Sequence, residues 1–181
     1  LWVYQLEQAE AALPFRTNAY IFDQMSAIHA LFPQLLIAFH QAETADDLAG
    51  YVNRIRETGR ALTQLIDISK RNAVEGVRPP RFAFDFVIDE STKIITGAPF
   101  DDSATDSAVW GDLKTKVAAL QAKGVLDEAR GKALLDEARA ALTGPFRSAY
   151  QALIAWQKED REKAPATTSG VGALPNGAAF Y

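Results

Sequence analysis

The sequence has no cysteine and only two histidines, His29 and His40. Without cysteine there is neither a disulfide nor a thiolate to hold a metal, and the redox compartment is left open. Two histidines with no HExxH pattern are too few for the three or four protein ligands that zinc takes. No apolar run approaches the roughly 20 residues needed to cross a bilayer as a helix. Charge of one sign is not in excess either. The 19 Lys and Arg are interspersed among 23 Asp and Glu, for a net charge of −4 and a pI of about 5.2. That balance excludes the clustered basic surface of a nucleic-acid binder. There is no G-x-S-x-G elbow for a nucleophile. Ser169-Gly170-Val171-Gly172 follows no strand and opens no phosphate-binding helix. No internal repeat and no convincing strand pattern is present.

What remains is a helical sequence with ample core material: 48% of the 181 residues are apolar, including three Trp, five Tyr and ten Phe. Leu1 to Leu13 carries apolar residues at spacings of three and four and predicts a helix. Phe15 to Leu31 has no clean period and reads as a loop with one helical turn at most. Phe32-Pro33 predicts the start of a short helix, with the proline in its first turn. The strongest pattern follows. Thr44 is a good N-cap, Asp46 and Asp47 suit the first turn, and Leu48, Tyr51, Val52, Ile55, Leu62, Leu65 and Ile66 share a face. That phase persists through Gly59 and predicts one helix of about 30 residues, kinked at most at the glycine, with Gly76 as its C-terminal stop.

After Pro79-Pro80, the residues Phe82, Phe84, Phe86, Val87, Ile88, Ile94 and Ile95 predict a helix buried on more than one side. Gly97 to Ser107 reads as a polar loop. Its Asp101, Asp102 and Asp106 lack the spacing of a calcium loop and read as a solvated acidic segment. Further helices are predicted over Val109–Ala122, from Asp127 to Leu142, and from Phe146 to about Lys163. The run from Lys158 to Lys163 reads as a solvated face at a helix end. Residues 164–181 form a small-residue linker and the start of a next element, after a helical domain over 1–163. The fold class is therefore all-α, an irregular antiparallel helical array over about 70% of the chain, with no significant sheet.

The chain opens inside a helical pattern at Leu1-Trp2-Val3-Tyr4 and stops on Phe180-Tyr181, which leads us to expect a fragment of a larger protein. Within it, His29 read in isolation is a structural histidine satisfied by its neighbours. His40, at the end of the short helix, suits a plain capping role toward the carbonyl end of the dipole. Asp89 and Glu90 stand on an apolar helix and need partners such as Arg78 or Arg81, or else face a cleft.

Several stretches together resemble the DUF885 family of bacterial proteins. They are Phe22-Asp23-Gln24 with Ile28-His29 and Leu31-Phe32-Pro33; Thr44 to Asp47 with Tyr51 and Arg54-Ile55, then Gly76-Val77 and Pro79-Pro80; Pro145-Phe146 with Ala149-Tyr150; and Leu174-Pro175-Asn176-Gly177 with Phe180-Tyr181. Where the family commonly has glycine two positions before its histidine, this chain has Ala27. The resemblance implies the N-terminal helical half of a zinc metallopeptidase-like protein, and a periplasmic or cell-envelope location. It implies that zinc and its HExxH-type motif belong to a C-terminal half that would be this chain's partner, so no cofactor is expected in this chain. It also implies a peptide substrate, a cleft wall built here, and Gln24, His29, Asn176 and Tyr181 as the substrate-cleft candidates. A non-catalytic, all-helical binding or scaffold module is the alternative from a different class.

Overall fold

The computed structural model describes residues 1–167 and 170–180. About 72% of the chain is helical, and the described residues contain no strand beyond one isolated bridge between Ala98 and Asp106. The helices are α1 (Trp2–Ala12), α2 (Ile28–Phe39), α3 (Ala45–Val74), α4 (Arg81–Ile94), α5 (Ala108–Ala122), α6 (Glu128–Ala141), α7 (Arg147–Arg161) and the short α8 (Gly177–Phe180). A 3-10 turn follows α1 at Leu13–Asn18, and a π turn at Leu142–Phe146 joins α6 to α7.

α3 is the axis on which α2, α5, α6 and α7 pack. Its start is closed by a full capping box, in which Thr44 Oγ1 accepts from the Asp47 N–H and Asp47 Oδ2 accepts from the Thr44 N–H. Its predicted face (Leu48, Tyr51, Val52, Ile55, Leu62 and Ile66) is buried against α6, α7 and the π turn. It ends where Gly76 takes a left-handed φ of 84°. Gly59 interrupts nothing in the helix. Its role is clearance, because a β-carbon there would lie 2.7 Å from the carbonyl oxygen of Pro145.

Several expectations are corrected by the packing. α2 starts at Ile28, not at Phe32-Pro33, so Pro33 lies inside the helix. Proline has no N–H to give the carbonyl four residues back, which belongs to His29. The Tyr150 hydroxyl donates to that carbonyl instead, at 2.6 Å. The proline is tolerated because α7 supplies the missing donor.

α4 buries one stripe rather than most of its circumference. Ala83, Phe84, Val87 and Ser91 face inward, and the small residues among them let α4 lie close on α7; Phe82 and Phe86 remain 45% and 54% exposed. The Lys158–Lys163 run is not wholly solvated: Asp160 is buried and receives Arg78 Nε at 3.0 Å, while Arg161 donates to Asp85 at 2.6 Å. Arg78 and Arg81 thus serve α7, with Arg81 on Glu162 at 2.7 Å, and not Asp89 or Glu90. The acidic loop is solvent-exposed at Asp101 and Asp102, as expected, and is tied down as well. Asp101 accepts from the N–H groups of Gly97 and Ser103, Asp106 pairs with Lys114, and Phe100 is buried against Phe146. α1 forms as predicted, yet none of its side chains is buried.

Candidate functional site

The segment before α2 is built by local hydrogen bonding. Asp23 Oδ1 accepts from the N–H groups of Met25 and Ser26, and its Oδ2 accepts from the Ser26 hydroxyl at 3.2 Å. This Asx-type turn feeds Ala27, the N-cap of α2, which sits in the left-handed region at φ 41° and ψ 35°. An L-residue with a β-carbon is disfavoured there by about 1 kcal/mol or more, and glycine is not. Ala27→Gly is expected to raise the unfolding free energy by about 1 kcal/mol, measured by urea denaturation. A loss of stability would mean the left-handed turn is not populated.

The turn delivers His29 into the core, edge-on to Phe22 at 6.3 Å between ring centres. His29 Nε2 lies 2.9 Å from Glu90 Oε2 on α4. With Nε2–H donating to that carboxylate, Nδ1 carries a lone pair, and it has no hydrogen-bond partner among the described residues. His29 is fully buried, while the Glu90 side chain is 42% exposed. The imidazole therefore reaches solvent through the carboxylate it orients. Glu90 is the half-exposed member of the pair, and it continues the four-residue spacing of the exposed Phe82 and Phe86 along α4. Sequence reading singled out Glu90 but gave it the wrong partners, because its partner is 61 residues away.

Burial lowers the pKa of His29 against the opposing pull of Glu90 and Asp23. It lowers that of His40 too, helped by Arg54 and Lys116 against Asp47. Both groups return to about 6.5 on unfolding, so the unfolded chain takes up more protons as the pH falls. Their contribution is complete above that pH and is lost as the pH drops through the lower folded values. The unfolding free energy should thus decline between about pH 6.5 and pH 5, with both imidazole Hε1 resonances titrating below the ordinary histidine range. A histidine resonance titrating above it would contradict the burial argument.

The other candidates are placed as follows. Gln24 is exposed in the Asx turn. Asn176 is exposed at a left-handed φ of 54°, a turn position that asparagine tolerates. Its turn is anchored by Asn18 Nδ2, which donates to the Pro175 carbonyl at 3.0 Å. Leu174 of that turn borders a cleft of about 530 Å³ together with Tyr20 and Arg78. His29 is tied to Glu90 and Tyr150, so the structure joins it to neither Gln24 nor Asn176 by a direct bond. Tyr181 lies outside the described residues.

Zinc does not fit the described residues. No group of three or more His, Cys, Asp or Glu is placed among them to hold a metal. His29 is bound to Glu90. His40 donates from Nε2 to the Asp47 carbonyl at 2.8 Å and accepts from Arg54 at Nδ1, leaving neither nitrogen free. His40 does cap a carbonyl, but that carbonyl belongs to the first turn of α3 and not to the end of α2.

The fold defines an all-α protein whose polar centre is a buried imidazole backing a surface carboxylate. The chain belongs to the DUF885 family: the family model, described as a bacterial protein of unknown function, matches residues 1–181. Comparison with curated proteins and with solved structures gave no match.

Proposed function

We propose that this chain forms one wall of a substrate cleft in a peptidase-like protein. In this reading Glu90, oriented by His29, holds a basic group of a peptide, such as its terminal ammonium. Any zinc and its general base are supplied from a C-terminal portion and not by these residues. The observation that carries the reading is the His29–Glu90 pair. A histidine buried without a second partner, spent on a half-exposed carboxylate, is an arrangement that packing alone does not require.

The test is Glu90→Gln in the natural protein that carries this segment, assayed on peptides with a free amino terminus. An exposed-side charge deletion is tolerated structurally, so the melting temperature should hold while kcat/KM falls about tenfold, a loss typical of one charge-assisted contact. Unchanged kinetics on a stable variant would overturn the proposal.

The second reading, a non-catalytic helical binding module, is favoured by the exposed Trp2, Leu6, Phe82 and Phe86. It predicts saturable peptide binding that Phe86→Ser abolishes and no peptide hydrolysis at all.

A further inference from the structure

Away from His29 and Glu90, α2 and α3 flank an open cleft of about 470 Å³, within the size range of small-molecule sites. Its apolar lining is furnished by Leu35, Leu36 and Phe39 of α2 and by Ala61 of α3. Leu36 is buried at the base, while Leu35 and Phe39 stay solvent-exposed along the wall. At the polar end stand His40 and Arg54.

The charges at that end are unequal. Glu57 and Arg60, which also border the cavity, neutralise each other at 2.6 Å. Asp47 is committed to the cap of α3, accepting the N–H groups of Glu43 and Thr44. Arg54 has no carboxylate within ion-pair distance among the described residues. Its guanidinium donates to neutral His40 Nδ1. His40 is itself buried and locked by its Nε2–H on the Asp47 carbonyl, and its ring stands against Tyr51 at 5.1 Å. The imidazole therefore acts as an orienting acceptor. It fixes one donor of the guanidinium fork and leaves the remaining N–H groups for a ligand. An uncompensated guanidinium at the end of an apolar slot matches a molecule with a carboxylate head and an apolar body.

We propose that this cavity binds an apolar monocarboxylate, with the carboxylate on Arg54 and the apolar body along Leu35 and Phe39. Two sources carry that chemistry, a fatty acid and the C-terminal residue of a hydrophobic peptide. The site uses neither His29 nor Glu90, so it stands or falls independently of the cleft reading.

The experiment titrates the protein by calorimetry with decanoate and with N-acetyl-leucyl-phenylalanine. The neutral counterparts are decan-1-ol and the dipeptide amide. At least one acid should bind about tenfold or more tightly than its neutral counterpart, the margin of one charge-assisted contact. The acid that does so identifies the source. Arg54→Met should erase the margin, Arg54→Lys should keep part of it, and Phe39→Ser should weaken acid and neutral probe alike. Far-UV circular dichroism checks that each variant is folded. In the unsubstituted protein, the His40 ring nitrogen resonances should shift on adding the acid that binds and not on adding its neutral counterpart. Acids that bind no tighter than the neutral probes, or an Arg54→Met variant with full affinity for them, would overturn the proposal. So would His40 resonances that ignore a bound acid.

Discussion

Arg78→Met should be the most damaging single polar substitution in this protein, costing about 3–5 kcal/mol of unfolding free energy. Arg78 Nε sits 3.0 Å from both oxygens of Asp160, and the two side chains are only 22% and 3% exposed. Removing the guanidinium leaves a carboxylate in the core between α4 and α7 with its charge uncompensated. The desolvation of that charge, more than the lost attraction, sets the size of the effect. For a chain of this length the melting temperature should fall by roughly 10 °C or more. The double variant Arg78→Met/Asp160→Leu separates the two contributions. If the penalty is the orphaned charge, the double variant recovers most of the stability despite lacking the pair. A double variant as unstable as the single one would assign the loss to packing around residue 78 instead.

Gly59→Ala is expected to destabilise although it replaces a poor helix former with the best one. Alanine gains about 1 kcal/mol of helix propensity over glycine. Against that, the new β-carbon would meet the Pro145 oxygen at 2.7 Å and its carbonyl carbon at 2.9 Å. Both are backbone atoms of the π turn, so no side chain can swing away. Either α3 or the α6–α7 junction must shift, an overpacking cost of about 3 kcal/mol. The net loss is then about 2 kcal/mol, and Gly59→Leu should exceed it. Gly111→Ala supplies the contrast. Its β-carbon would meet only the Asp106 side chain at an ordinary 3.5 Å, so propensity should win and the variant should gain stability. Chemical denaturation of both variants decides the matter. A stabilised Gly59→Ala would show that α3 and the π turn do not approach this closely.

These two predictions mark where the sequence stops being sufficient. Gly59 is visible in the sequence as a glycine inside a strong helical pattern, and a kink is the natural reading. The close approach that requires it involves Pro145, on a different element. Arg78 and Asp160 are likewise both visible as charged residues. Nothing local distinguishes Asp160 from its solvated neighbours Glu159 and Glu162, because its partner Arg78 lies 82 positions away along the chain, in the segment before α4. In the candidate site, His29 was singled out by the resemblance alone. That its outlet to the surface is Glu90 was not, and neither was the rescue of its carbonyl by Tyr150.

By itself the sequence determined the helices of this protein, their caps and the all-α class. Apolar periodicity, Thr44 with Asp47 and Gly76 as a stop all act within about one or two turns of backbone, so their physics is local. Only the tertiary structure decided which faces meet: the outward turn of Phe82 and Phe86, the start of α2 ahead of Pro33, the Arg78–Asp160 pair and the His29–Glu90 pair. Those outcomes depend on how closely two helices pack and on which charges lose their water when they do. Neither is encoded in the spacing of residues along one helix.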